Sequence, residues 1–422
     1  MAQDAPQLID EAALSEARER AFSMPLEAID VTHYDLHQQD LVYPFFERLR
    51  RDDPVHWHAD SHQGPYWSVT RFEDIKWVDT HHDLFSSEPS IVLDDPRDDL
   101  PVEQFIAMDP PRHDVQRKTV APVVGPRNLA ALEATIRGHA AEILDGLPAG
   151  VAFNWVEQVS IELTTRMLAT IFGFPFEDRH KLPFWSDVAA GGKHAGVVDS
   201  REEQLAILMD CLRTFEALRD ARAAEPEVGM DLLSMLAHGE HTRDMPRMEF
   251  LGNLLLLIVG GNDTTRNSIS GGVLALNRFP HEYEKLRADP GLIPNMVAEI
   301  IRWQTPLAYM RRTALEDVEL AGKRIRAGDK LAMWYVSGNR DETVFAEPDR
   351  LRIDRPDARG HVAFGYGIHR CMGNRLAEMQ LRVLWEEIQK RFRFVEVVGT
   401  PLRTRSNFVR GYTRLPVRVH PH

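Results

Sequence analysis

A chain of 422 residues, 43% of them hydrophobic, carries enough apolar material for a sizeable core, and no Pro/Gly/Ser-rich linker or fixed-period repeat divides it. A formal net charge of −14 with no strongly basic stretch argues against nucleic acid as a partner. With only two cysteines, Cys211 and Cys371, a disulfide framework is not the organising principle.

The opening residues are acidic and polar, with neither a signal-peptide core nor a spanning helix. The longest apolar run, residues 254–259, is far short of the ~20 residues a bilayer requires. The expectation is a cytoplasmic protein without a transmembrane anchor. Residues 1–29 read as a flexible arm and residues 30–422 as one domain.

Residues 43–55, YPFFERLRRDDPV, read as a short helix ending in a turn. Residues 56–57 and 66–70 read as strands around the SHQGP turn, and RFEDIKWV as a helix following that hairpin. Residues 85–107 are irregular and broken by Pro89, Pro96 and Pro101; a loop of this length is either disordered or functional. Its interleaved Ile91, Val92, Leu93, Phe105 and Ile106 predict that part of it packs inward.

Asp109-Pro110-Pro111 closes the loop, and a helix is predicted just after the prolines. His113 and Arg117 stand four apart on one face of it, where two donors could grip a carboxylate pair. From spacing alone, a solvated face is the plainer reading. Residues 129–237 are mostly helical, with a helix stop at Gly173 and Pro175. Cys211 lies in one such run and reads as a packed small hydrophobe. Residues 182–198, with Gly191, Gly192 and Gly196 among apolar residues, break the periodicity.

Residues 251–276 form a helical pattern so apolar that it should be buried. Gly260, Gly261, Asp263, Thr264 and Thr265 in mid-run weaken a helix interior. Either helix packing with a capped kink, or a pocket that needs space and polar groups, accounts for them. Glu299 and Arg302 share a helix face and can pair. Residues 305–337 alternate, with Gly322 and Gly328 at turns, and read as strands.

The chain turns on residues 361–387, HVAFGYGIHRCMGNRLAEMQLRVLWEE. A Gly-rich loop runs into a helical pattern of Leu376, Met379, Leu381 and Leu384, placing Cys371 where loop meets helix. Unpaired backbone N–H groups there favour thiolate, which is a nucleophile or a metal ligand. Gly365, Gly367 and Gly373 let a flat group approach the backbone. Packing as a small buried hydrophobe is the alternative for any free cysteine.

As F-G-x-G-x-H-x-C-x-G, residues Phe364, Gly365, Gly367, His369, Cys371 and Gly373 resemble the haem-binding loop of the cytochrome P-450 monooxygenases. The other motifs resemble that family in the expected order. Residues 109–117 are similar to its D-P-P-x-H-x-x-x-R, and residues 260–265 to its G-G-x-D-T-T. Glu299 to Arg302, followed by FAEPDRL at 345–351, is similar to its structural ion-pair elements, with Leu351 where the family often has Phe. The resemblance runs from about residue 43 to the C-terminus.

It implies a mainly α triangular prism with small β-sheets, holding haem b between the central long helix and the helix after the cysteine loop. Cys371 is then the iron ligand, with Phe364, Gly365, Gly373 and His369 around the cofactor. His113, Arg117 and Arg312 are the propionate ligands, with Arg311 a competitor for the last place. Gly260 and Gly261 leave space for O2, Thr264 hydrogen-bonds it and Asp263 relays protons. Glu299, Arg302 and Arg350 form the structural ion-pair set. Ile91, Val92, Leu93, Ile106, Leu307 and Phe408 line the substrate pocket, the turn near Gly411 also reaches substrate, and residues 182–198 form a lid.

No flavin or nicotinamide module is visible, so electrons are expected from NAD(P)H through a reductase and a [2Fe-2S] ferredoxin. Arg112, Lys118, Arg370, Arg375 and Arg382 would form a basic docking patch. Residues 260–277, 110–122, 299–319 and 364–388 resemble the bacterial soluble alkane hydroxylases of the family. That implies a hydrophobic substrate oxidised at its terminal carbon, a medium-chain linear alkane or fatty acid. Terpenoids, steroids or other bulky molecules are the alternative. A non-catalytic haem sensor has no use for Asp263 and Thr264. A cysteine hydrolase fits poorly, since His369 is only two residues from Cys371 and no third orienting group is evident.

Overall fold

The computed structural model describes residue 8 and residues 10–191 and 196–422. The fold is mainly helical with small β-sheets. Its axis is the 32-residue helix Arg247–Arg278, buried along most of its length as its apolar pattern requires. The helix runs unbroken through Gly260 and Gly261. The Thr264 hydroxyl donates to Gly260 O at 2.7 Å and the Ser268 hydroxyl to Thr264 O at 2.9 Å, which satisfies both within the helix. A Cβ on Gly271 would stand 2.3 Å from Gln304 Oε1, so glycine there leaves room for the Gln304 side chain at the end of the crossing helix Ile293–Gln304.

That crossing helix presents Glu299 and Arg302, both fully buried and joined by bonds of 2.7 and 2.8 Å. The expected third partner is corrected. Arg350 is two-thirds exposed and pairs only with Glu347, whereas Arg355 reaches both Glu299 oxygens at 3.1 Å. Arg350 contributes its carbonyl, which accepts from Arg302 and Arg355. The chain turns over residues 350–355, so the arginine that arrives at Glu299 lies five positions later.

The largest sheet runs in the order Val55–His58, Tyr66–Val69, Lys330–Met333, Met310–Ala314 and Phe85–Ser86. The expected hairpin forms, with Val55 opposite Val69, and joins the later strands by parallel pairing of Tyr66–Val69 with Lys330–Met333. At the C-terminus Pro416–Pro421 pairs with Phe392–Val397, and Leu402–Arg403 with Tyr412–Arg414. In that last hairpin Tyr412 N–H donates to Asn267 Oδ1, so the backbone beside Gly411 rests on the central helix, while Phe408 O accepts from Ala308 N–H at 2.8 Å.

Two expectations of disorder or irregularity are corrected. Glu11–Ser23, within the segment read as a flexible arm, is a helix capped by Asp10. Ala17 and Ala21, four apart, bury that face, and Arg18 grips Glu47 of helix Tyr43–Asp52 through two bonds of 2.5 and 2.6 Å. Residues 1–7 of the arm lie outside the described residues. In the expected lid, Lys181–Ala190 is helical because Leu182, Trp185 and Val188 recur on one buried face; the glycines fall beyond it, and Gly192 lies outside the described residues. Gly173 ends helix Glu162–Phe172 with φ +65°, the expected stop. Among the described residues no helix is long and apolar enough to cross a membrane.

Candidate active site

The cysteine loop is closed by its own backbone: Gly365 N–H donates to Val362 O and Cys371 N–H to Phe364 O, each at 2.8 Å. Gly367 has φ +66°, and a Cβ there would lie 2.2 Å from Asp79 O, so the loop presses directly on helix Phe72–Thr80. The Phe364 ring lies tilted against His361, with centroids 5.3 Å apart, and packs onto the main core. Helix Asn374–Arg391 begins three residues after Cys371.

The two cysteines differ in kind. Cys211 is fully buried among apolar neighbours that push its thiol far up. Cys371 is surrounded by protein yet opens onto a cavity of 320 Å³ lined by Arg117, Arg370, Met372 and Arg375. Burial raises the Cys371 thiol, and the N–H groups of Gly373 and Asn374 with the charges of Arg117 and Arg370 offset this only in part. The helix start alone therefore does not produce the expected thiolate. A metal cation held at Cys371 would supply the missing charge, because a coordinating thiol is deprotonated outright.

On helix Arg112–Val120, His113 and Arg117 face the loop. The rings of His113 and His369 stand 4.2 Å apart. His113 Nδ1 contacts Asp114 at 2.8 Å, but His113 Nε2 and both nitrogens of His369 are buried without a partner. Arg117 gives one hydrogen bond to Arg370 O and, among the described residues, has no carboxylate partner. Burial consequently weighs against its guanidinium. Three orphaned imidazole nitrogens and an uncompensated cation beside one thiol fit a flat cofactor with anionic arms.

Arg312 and Arg311 part company, as neighbours on a strand must. Arg311 reaches Asp95 at 2.9 Å, and Arg312 reaches Asp79 at 2.7 Å on the side where its charge bears on His369. Asp79 was not singled out from the sequence. It is buried, and it also accepts from the Tyr335 hydroxyl at 2.9 Å and Tyr366 N–H at 2.7 Å. One carboxylate thus ties Arg312 to the cysteine loop. Its sequence context, RFEDIKWVDT, marks only a helix.

Across the central helix, Gly260 and Gly261 are exposed although most of their helix is buried, and a Cβ on Gly260 would meet nothing within 4 Å. The expected space is therefore at Gly260 and not at Gly261, where a Cβ would stand 2.9 Å from Leu168 Cδ2, and Thr264 lies one helical turn on from Gly260 with its hydroxyl oxygen free to accept. Asp263 is buried and accepts from Ser186 Oγ at 3.2 Å, Asn262 Nδ2 at 3.1 Å and Arg266 at 3.0 Å. Arg266 also holds Asp187 at 2.8 Å, joining the acid to helix Lys181–Ala190. Burial, opposed by Arg266 and aided by Asp187, pushes the Asp263 carboxyl up to about 6, where it can give or take a proton near neutrality.

Of the expected pocket residues, Ile91, Val92, Leu307 and Phe408 are half-buried and held by one backbone framework: Arg311 N–H to Ile91 O and Ala308 N–H to Phe408 O, each at 2.8 Å. Leu93 is fully buried in a cluster with Tyr309 and Trp334, against which Phe408 also packs. Ile106 lies elsewhere, on the turn Phe105–Ala107 that Asn253 of the central helix anchors at 2.8 Å.

A family model described as Cytochrome P450 matches residues 291–417. The chain is 36% identical over 408 residues to linalool 8-monooxygenase from Pseudomonas putida, covering 94% of this chain and 100% of that protein. The chain belongs to the cytochrome P-450 monooxygenases. This P-450 is also 33% identical to the methyl-branched lipid omega-hydroxylase of Mycobacterium tuberculosis, over 88% of this chain and 90% of that one. The solved structure of CYP153D17 from Sphingomonas sp. PAMC 26605 is 49% identical, with TM-score 0.87, over 92% of this chain and 98% of that one. Membership implies haem held through a thiolate and the use of O2. The orphaned imidazoles, the free Arg117 and the space at Gly260 fit that group.

Proposed function

We propose that this P-450 hydroxylates the terminal carbon of medium-chain linear alkanes or fatty acids, with electrons delivered by a ferredoxin. The observation that carries the substrate reading is the set of half-buried apolar residues Ile91, Val92, Leu307 and Phe408, with the carbonyls of Ile91 and Phe408 fixed by backbone hydrogen bonds from Arg311 and Ala308. A primary C–H bond is stronger than a secondary one, so terminal attack requires a wall that fixes the chain end, and a rigid one does so at low entropic cost. The omega-hydroxylase name of one relative supports the same regiochemistry.

In this reading Cys371 holds the iron, His113, His369 and Arg117 hold the carboxylate arms, and Arg312 is oriented by Asp79. Bound haem supplies the redox chemistry that activates O2. Thr264 accepts and passes a proton at Oγ1, and Asp263 replenishes it from the side of helix Lys181–Ala190. The basic patch contracts from its expected extent. Arg112 is engaged by Glu103 and Glu249, and Arg382 by Glu133 and Glu386, while Lys118, Arg370 and Arg375 have no ion pair among the described residues. Those three are the contacts we assign to an acidic ferredoxin.

The test is turnover of octane and dodecanoic acid with a surrogate ferredoxin, its reductase and NADH, resolving products by carbon position. Predominantly 1-octanol or ω-hydroxydodecanoate is expected. Mainly subterminal alcohols would overturn the terminal assignment. The 36% identity to linalool 8-monooxygenase favours a second reading, a terpenoid oxygenase, which turnover of linalool in preference to octane would establish.

A further inference from the structure

Far from the cysteine loop, Asp30, His33 and His62 bring three ligand atoms within 4.8 Å of one another. His33 Nε2 and His62 Nδ1 each stand 3.7 Å from the same atom, Asp30 Oδ2. Tetrahedral zinc with bonds of about 2.0–2.1 Å places its ligands roughly 3.4 Å apart, so both imidazole-to-carboxylate distances are a few tenths of an ångström from that spacing. The two imidazole rings lie near-parallel, with centroids 5.7 Å apart.

The surroundings orient the cluster. Asp30 Oδ1 is taken by Thr32, whose N–H donates at 2.9 Å and whose hydroxyl donates at 2.5 Å, leaving Oδ2 toward the imidazoles. Thr32 is fully buried and its carbonyl accepts from Asn407 Nδ2 at 2.8 Å; the same amide contacts Gln63 Oε1 at 3.2 Å. The turn carrying His62 is closed by Ser61 Oγ, which donates to Gly64 O at 2.6 Å. Among the described residues, the one polar contact within hydrogen-bond distance that competes for a ligand atom is Thr32 Oγ1 with His62 Nδ1, at 3.1 Å.

We infer that Asp30 Oδ2, His33 Nε2 and His62 Nδ1 bind one divalent transition-metal ion, with water in the fourth position. Two imidazoles and one carboxylate select zinc or its first-row neighbours over magnesium or calcium, which prefer all-oxygen sites. Carboxylate orientation by Thr32 is the outer-shell support that such sites use. The ion would clamp residues 30–33 onto the tip of the first hairpin. Gln63, next to His62, bonds Asn407 and reaches Asp94 at 3.4 Å, so the clamp stiffens the segments that flank Phe408 and Leu93.

The test uses the haem-loaded full chain, stripped with chelator and titrated calorimetrically with zinc chloride. One zinc per chain is expected, and the zinc-edge X-ray absorption spectrum should show nitrogen and oxygen ligands at about 2.0–2.1 Å and no sulfur. Zinc at 100 times its Kd should raise the Tm by about 3 °C. His33→Ala, at an exposed side chain where the fold is not at risk, should abolish the stoichiometric site, and Thr32→Val should weaken it about 10–100-fold. No stoichiometric binding would overturn the assignment. So would binding that persists in a His33→Ala/His62→Ala double variant whose metal-free melting matches the parent, or a spectrum showing zinc–sulfur bonds.

Discussion

Replacing Asp79 by Asn tests whether one carboxylate organises the cysteine loop. Its Oδ1 accepts from Arg312, and its Oδ2 from the Tyr335 hydroxyl and Tyr366 N–H. An amide of the same shape has one acceptor oxygen and one donor group, so either orientation sets donor against donor. With the NH2 toward Tyr366, a buried backbone N–H goes unpaired, at about 1–3 kcal/mol. Either orientation removes the counter-charge of a guanidinium only 3% exposed, but with the NH2 toward Arg312 that guanidinium loses its acceptor as well, at about 3–5 kcal/mol, so the amide takes the first orientation. Burial holds the Asp79 carboxyl above its usual range, so removing the charge offsets part of the loss, leaving about 1–3 kcal/mol. Unfolding a chain of 422 residues carries an entropy of about 0.9 kcal/mol/K, so the Tm should fall by about 1–3 °C. Haem retention after gel filtration should fall with it, because Tyr366 lies in the loop that carries Cys371. Tyr335→Phe, which removes one donor and no charge, should cost about 1 kcal/mol and leave haem retention intact. An Asp79→Asn protein with parental Tm and parental haem content would refute the argument.

Arg355→Met should destabilise by about 3 kcal/mol because Glu299 is fully buried, whereas Arg350→Ala should stay within about 0.5 kcal/mol; denaturant midpoints compare the two, and the reverse order would reinstate Arg350. Asp263 sits near 6 in the folded protein against about 3.9 unfolded, so the folded state binds more protons between those values. Stability is lost as pH rises through about 4–6. Asp263→Asn should therefore gain up to about 3 kcal/mol relative to the parent between pH 4 and 7 while turnover falls about 100-fold, and a pH-independent difference would sink the assignment. Cys371→Ser should abolish the thiolate-type Soret band of the ferrous–CO complex, whereas Cys211→Ser should keep it. Arg375→Glu should raise the KM for ferredoxin about tenfold with kcat unchanged, a difference that shrinks as salt is added.

What was legible in the sequence is what lies close together along it. The helix start after Cys371, the face shared by His113 and Arg117, the Glu299–Arg302 pair and the hairpin around SHQGP each depend on spacings of a few residues, and each forms. The arm at residues 11–23 was misread because Ala17 and Ala21 are too small to announce a buried face, and the lid because its glycines drew attention from the Leu182, Trp185 and Val188 spacing. The parallel pairing of Tyr66–Val69 with Lys330–Met333 joins strands more than 250 residues apart, and no local pattern encodes it.

The charged partners show why site geometry is harder to read than site identity. Glu299 does not specify which arginine completes its set; the turn over residues 350–355 does, and it delivers Arg355. Arg311 and Arg312 are equivalent in sequence, and strand alternation sends one to Asp95 and the other to Asp79. Arg266 and Asp263 are neighbours on one helix face, but Asp187 and Ser186, which complete their set, arrive only with helix Lys181–Ala190. In each case a buried charge is costly unless its partner arrives in register, so the fold must be correct before the pair forms. These pairs therefore act as geometric constraints on the cysteine loop and the acid at Asp263 more than as sources of stability. Replacing the Glu299 set with well-packed apolar residues should leave the Tm close to its parental value while loosening haem retention, and the two readouts moving together would place these charges among the stabilising contacts instead.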